Sequence, residues 1–273
     1  MNIQLLSDLH LETHPQFVPQ YASGSDVLVL AGDIGSYQSG SSIEGDDFGL
    51  SRFANWPVPV VFVPGNHEYD ALDFDEAHAR LQAICARYGF HFLERGVLTQ
   101  TELGLHSPPV RFIGTTLWTD FDALIPETAT PTAALRARDK AFRAANFYLR
   151  KTTTTRHGLP FLAEQVREQS LLCQQWLRDA LVQPFEGRTV VITHFAPSLQ
   201  SADPRYGMTP GTAGFCNTLD DLLPQAQLWL HGHLHCPQNY VARGCRVVAN
   251  PLGYARKNEQ LYFQAQGVIP VLS

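Results

Sequence analysis

The 273-residue chain has no apolar run that approaches membrane length and no basic, cleavable apolar leader at its start. Neither a membrane span nor a secretory signal is therefore expected, and the predicted setting is soluble and cytoplasmic. The five cysteines, Cys85, Cys173, Cys216, Cys236 and Cys245, are odd in number and include no C-x-x-C pair. They read as reduced thiols and not as a disulfide framework. A general excess of positive charge is missing too. With a formal net charge of −6, the molecule as a whole attracts neither nucleic acid nor an anionic membrane. No repeat, low-complexity tract or linker divides the chain, and its 44% of hydrophobic residues can fill a large core.

What is present is five short polar clusters, each at the end of an apolar run. The runs are NIQLL, DVLVLA, VPVVFV, TVVIT and AQLWL. The clusters they deliver are Asp8-Leu9-His10, Gly32-Asp33, Gly65-Asn66-His67, His194, and Gly232-His233-Leu234-His235. Each run has the length and composition of a buried strand. Ligands of open α/β sheets collect at the carboxyl ends of strands, so five such ends predict one shared site and one domain, 1–273. The side chains offer oxygen and imidazole donors and no thiolate, a set suited to a hydrolytic metal centre. Asp8 and His10, two apart on a strand, point the same way and can hold one metal together. Asp33 has two oxygens with which to bridge two ions, while Asn66, His194, His233 and His235 offer an amide oxygen and imidazoles. Two divalent ions less two carboxylates leave a charge near +2, which suits a phosphate ester and activates a bridging water. His67 adjoins Asn66 but need not bind metal, and because an imidazole titrates near neutrality it is the candidate acid for the leaving oxygen.

The rest of the chain alternates in an α/β rhythm. Helices are predicted at about 73–87, 131–151 and 161–182, with further strands near 90–93, 96–103, 110–115, 238–242, 245–249 and 268–272. The Ser-, Gly- and acid-rich stretch 36–49 is expected to be a mobile loop without chemistry of its own. Arg136 to Arg167 carries a net +6, leaving −12 elsewhere. This basic helical insertion, at about 131–160, reads either as a solvated face or as an anion-attracting flap. Arg205, in a Pro-bounded loop after the His194 run, is a candidate phosphate contact.

These motifs resemble the calcineurin-like metallophosphoesterase superfamily, whose signature is D-x-H, G-D, G-N-H, a lone His and G-H-x-H. The match spans residues 8 to 235. The resemblance implies a four-layer α-β-β-α sandwich of two mixed sheets flanked by helices. It implies one metal on Asp8, His10, Asp33 and His235, and a second on Asp33, Asn66, His194 and His233. His67 would assist the leaving group, and His231 would be structural or support the ligands. Gly114 to Phe121, Asp203 to Tyr206 and Asn250 to Tyr254 are similar to segments of single-domain bacterial phosphoesterases of this kind, although Phe195 stands where that subgroup carries histidine. After Gly32-Asp33 the chain reads Ile34-Gly35-Ser36-Tyr37 and lacks the Asp and Arg of the protein phosphatases, which argues against that branch.

The expected function is hydrolysis of small phosphate diesters, cyclic nucleotides among them, by attack of a metal-bridging hydroxide, with Asp33 and His67 catalytic and Asn66, His67 and Arg205 touching substrate. A phosphomonoesterase or nucleotidase with the same centre is the alternative, and a silent protein-binding scaffold is a third. Mn, Fe, Zn, Ni and Co all suit the ligand set, with Mn or Fe favoured. The expected partner is a small phosphate ester, without stable nucleic-acid or membrane binding.

Overall fold

The computed structural model describes residues 1–271. Two mixed sheets carry the chain. The first has the order β13-β1-β2-β3-β4, with β1 Asn2–Leu6, β2 Val27–Ala31, β3 Val60–Val63, β4 His91–Phe92 and β13 Val268–Pro270. The second has the order β11-β12-β10-β9-β6-β5, built from β5 Gly96–Thr99, β6 Val110–Thr115, β9 Arg188–Thr193, β10 Leu228–His231, β11 Gln238–Ala242 and β12 Cys245–Ala249. A small hairpin of β7 Thr155–Arg156 and β8 Leu159–Pro160 stands apart.

Side-chain alternation explains the layering. Ile3, Leu5, Val27, Val29, Val61 and Val63 of the first sheet meet Phe112, Val190, Ile192, Leu228 and Leu230 of the second in one apolar interior. The intervening residues face outward and are buried as well. Leu28, Leu30 and Phe62 share a cluster with Ala77, Leu81 and Ile84 of α1, Phe74–Tyr88. Val191 and Trp229 share it with Val166, Cys173 and Leu177 of α3, Ala163–Leu181. Strands covered on both faces read as largely apolar runs, and the exception, buried Gln4 of β1, donates to Gln20 O and Ala265 O. The sandwich is α-β-β-α, as expected.

Boundaries shifted where side chains end an element early. The strand expected over 96–103 stops at Thr99, because the Glu102 carboxylate accepts from both the Thr99 amide (2.7 Å) and its hydroxyl (2.7 Å), closing a turn. The Asp73 side chain caps α1 by accepting from the Asp75 amide. The insertion at 131–160 comprises α2, Pro131–Thr152, and the β7–β8 hairpin. Of α2 only Ala141 is buried, so the helix lies on the surface. Leu272 of the expected 268–272 strand lies outside the described residues.

Strands β1, β2, β3, β9 and β10 end on the same side, and chain crossings tie their ends together. The Asp8 amide donates to Gly32 O (2.9 Å), the His10 amide to Asp33 O (3.1 Å) and the Gly232 amide to His194 O (3.0 Å). Leu252 and Gly253 donate to Ser7 O and Asp8 O, which fixes the 250–254 segment beside β1.

Candidate metal centre

Two groups of donors converge at those strand ends. Ligand atoms of Asp8, His10, Asp33 and His235 lie within 4.8 Å of one another, and so do those of Asp33, His194 and His233. Asp33 is common to both. The Asn66 amide oxygen joins the second group, 3.2 Å from His194 Nε2. All seven expected ligands are therefore brought to one place.

The backbone is strained to achieve this. Asp8, His10, Asp33, His233 and His235 all have positive φ, between 44° and 72°. For non-glycine residues such conformations cost about 1–3 kcal/mol each and persist where surrounding structure enforces them, most often at functional sites. The neighbouring glycines allow the close approach. A Cβ on Gly232 would lie 2.6 Å from Asp8 Oδ2, and one on Gly65 would run into Asp33 Oδ1 and its amide. Gly65→Ala is accordingly expected to displace the Asp33 carboxylate. A loss of about 10²-fold in activity, with about 1–3 kcal/mol of stability, would be read by turnover and thermal melting.

The outer partners of the imidazoles fix which nitrogen faces inward. His10 Nδ1 donates to Glu12 (2.9 Å), His235 Nδ1 to Glu259 (2.7 Å) and His194 Nδ1 to Ala31 O (2.8 Å). With Nδ1 donating, each ring in its neutral form directs a lone pair from Nε2 into the site. His10 Nε2 and His235 Nε2 approach to 3.0 Å, and His194 Nε2 lies 3.1 Å from Asp33 Oδ2. Lone pairs facing one another at these distances repel unless a cation or proton lies between them. Asp8 Oδ2, Asp33 Oδ2 and His233 Nε2 are buried without a hydrogen-bond partner. Orphaned acceptors of this kind are costly when left empty and are what a divalent ion requires. The residues fit a metal pair.

The buried charges act on one another: burial lowers His194, but the Asp33 carboxylate beside it raises it to about 9, so a metal there would have to displace a proton. Burial pushes the Asp33 carboxyl up, but the imidazoles of His194, His67 and His10 bring it well below the usual carboxylate range. Burial holds His233 well below the ordinary imidazole value, with His194 adding to the effect, and burial outweighs Glu12 in lowering His10. Burial alone would lower His67, yet Asp70 and Asp33 raise it well above its ordinary value.

His67 belongs to no donor group. Its Nδ1 donates to Asp70 Oδ2 (2.5 Å), and its backbone amide to Asp33 Oδ1 (2.9 Å). Ser36 Oγ donates to the same Asp70 oxygen (2.9 Å) and Gln38 Nε2 to Glu12 (3.2 Å), so the 36–49 stretch braces the site after all. Its Phe48 is fully buried, and Phe48 and Ile43 pack on the core, so the stretch is a loop, as expected, but one anchored to the core where a mobile one was expected. Glu68, also fully buried, accepts from the amides of Asp33 (3.0 Å), Ile34 (2.6 Å) and Gly65 (2.6 Å) and ties the second and third motifs together. His231 lies outside both groups, bonded to Ser201 Oγ (3.0 Å).

Aromatic rings wall the donors. Tyr254 lies 4.4 Å from the His10 ring and 4.9 Å from that of His235, while Phe195 and Phe215 lie 4.0 Å and 5.0 Å from His233. Arg205 is placed at the rim with its Nε and Nη2 on Asp203 (2.8 and 2.6 Å), and 3.8 Å from Glu259. That pairing weakens the expectation of a direct phosphate contact. The basic insertion is likewise partly neutralised, since Arg138 and Arg167 both pair with Asp122 and Arg156 with Asp75.

Glu12, Asp70, Glu259 and Tyr254 were not singled out from sequence as site residues. Glu12 and Asp70 follow His10 and His67 by two and three positions, a spacing that could have found them. Glu259 follows His235 by 24 residues and has no such signal.

Comparison with known proteins agrees with this fold. Uncharacterized protein L509 of Acanthamoeba polyphaga mimivirus is 23% identical over 283 residues, spanning 93% of this chain and 92% of that protein. The crystal structure of phosphopantetheinyl hydrolase (PptH) from Mycobacterium tuberculosis shares the fold, with a TM-score of 0.66 and 23% identity over 94% of this chain and 90% of that one. No helix among the described residues is long and apolar enough to cross a membrane. The family model for calcineurin-like phosphoesterases matches residues 1–237, and the chain belongs to that family.

Proposed function

We propose that the protein is a binuclear metal-dependent phosphodiesterase for small phosphate diesters, the whole chain serving one catalytic domain. Asp8, His10, Asp33 and His235 would hold one ion and Asp33, Asn66, His194 and His233 the other. Bound there, the ions supply Lewis acidity, neutralising phosphate charge and lowering the pKa of a coordinated water toward neutrality.

The observation that favours a diester is the state of the cations at the rim. Arg205 is engaged by Asp203, and Lys257 lies 3.8 Å from the same Glu259 carboxylate that Arg205 faces. Neither is a free clamp for the second charge of a monoester dianion. A diester presents one charge and needs none.

The chain's own residues divide the remaining work. Because Asp70 holds Nδ1 of His67, Nε2 is the nitrogen left to pass a proton to the leaving oxygen as its bond to phosphorus breaks. The products are an alcohol and a phosphomonoester. The Asn66 amide oxygen faces His194, which leaves its NH2 to donate to a non-bridging phosphate oxygen. Tyr254, Phe195 and Phe215 exclude water from the imidazoles they cover.

Metal-depleted protein reconstituted with Mn, Fe, Zn, Ni or Co should be screened on p-nitrophenyl phosphate, bis(p-nitrophenyl) phosphate, cyclic AMP and a phosphopantetheinyl compound, the last because the fold neighbour is named for that group. Diester turnover should exceed monoester turnover, and the reverse order would make the protein a phosphomonoesterase. Because its charge is already balanced, Arg205→Ala should change diester kcat/KM by less than about tenfold. A larger loss would restore Arg205 as a direct contact.

A further inference from the structure

A groove of about 460 Å³ runs between the first three turns of α2 and the loop carrying Met208. Phe121, Leu124, Ile125 and Met208 line its apolar side, and Arg136 and Lys140 its charged side. The two cations are four residues apart on a helix and so share a face. Unlike Arg138, Arg156 and Arg167, they have no ion-pair partner among the described residues. Met208 is 61% exposed and Phe215 41%, an open apolar surface that leads from the groove toward the metal centre.

The loop that walls the groove also reaches the site. Its Pro210–Gly214 turn ends at Phe215, whose ring lies 5.0 Å from that of His233. Ala213 lines the groove only two residues earlier, a backbone span of at most about 7 Å. Thr119 Oγ1 holds Ala213 O at 2.7 Å, which fixes the turn. His67 lies beside His10, at 5.1 Å between rings, whereas Phe215 lies beside His233. A group leaving toward His67 and a group extending over Phe215 would thus meet different side chains.

We propose that this groove binds the ester arm that stays on phosphorus, an apolar chain ending in an anionic group that Arg136 and Lys140 receive. The inference rests on the diester reading and adds the substrate class to it. An aliphatic stretch would cover the Phe121, Leu124 and Ile125 side, and its charged end would meet two cations that have no ion-pair partner among the described residues.

Three probes test it on the metal-loaded protein: the methyl, octyl and 7-carboxyheptyl esters of p-nitrophenyl phosphate. For the wild type, kcat/KM should rise along the series. The double variant Arg136→Gln, Lys140→Gln should lose about tenfold on the carboxyheptyl ester alone. Ala137→Trp, which fills the groove, should remove the advantage of both long esters and spare the methyl ester. A flat series, or equal losses of the double variant on all three, would overturn the proposal. Calorimetric binding of the same esters separates it from the diester reading. Failure to cleave any of them, with the carboxyheptyl ester still bound tightest and through Arg136 and Lys140, would sink the diester reading and keep the groove. Equal binding of all three esters would sink the groove.

Discussion

Asp33→Asn is expected to lower diester turnover by at least about 10³-fold and to deplete bound metal, with the fold intact. Asp33 is shared by both donor groups, and its Oδ2 is one of the buried acceptors without a partner. The amide removes the charge that draws two cations together and can present only one oxygen. Folding should survive for a stated reason. Asp33 has φ 54°, and asparagine is among the few residues that tolerate this region. The retained amide oxygen can still accept from the His67 backbone amide, as Oδ1 does now. Elemental analysis, circular dichroism and turnover together decide the matter. Full metal occupancy with wild-type turnover would remove Asp33 from its bridging place.

His67→Ala should separate chemistry from metal binding. Both ions should remain, because His67 stands outside both donor groups. Turnover of diesters with alkoxide leaving groups should fall by roughly 10²–10⁴-fold, the contribution of a positioned acid. With bis(p-nitrophenyl) phosphate the loss should be far smaller, since nitrophenolate departs without protonation. Equal losses on both substrate types would show that His67 acts by holding substrate or structure and not by moving a proton. The contrast between leaving groups is what makes the result specific.

The site was largely legible in the sequence because its candidate ligands end apolar runs, and a run buried on both faces announces itself. Asp8, His10, Asp33, Asn66, His194, His233 and His235 converge for that reason. The layer behind them was less legible. Glu259 reaches His235 from a segment fixed by the Leu252 and Gly253 amides on β1, a path no local pattern encodes. Asp70 takes the place beside His67, and its second partner, Ser36, comes from a stretch whose composition pointed to a bare loop. Composition reports propensity to turn, whereas buried Phe48 in the same stretch anchors it to the core. Arg205 shows another limit: Asp203, two residues before it, pairs with its guanidinium, and no pattern of charge in the sequence shows whether such an arginine is engaged or free. The basic insertion was visible as charge, but only the ion pairs to Asp122 and Asp75 show which of its cations remain free.

Metal content and diester turnover, followed together through exhaustive chelation and stepwise return of Mn or Fe, bear on the binuclear phosphodiesterase directly. Two ions per chain should bind, matching the two donor groups, and hydrolysis of bis(p-nitrophenyl) phosphate should vanish with them and return as the second ion is restored. Undiminished diester hydrolysis by a chain stripped of metal, or full activity with a single ion bound, would contradict it.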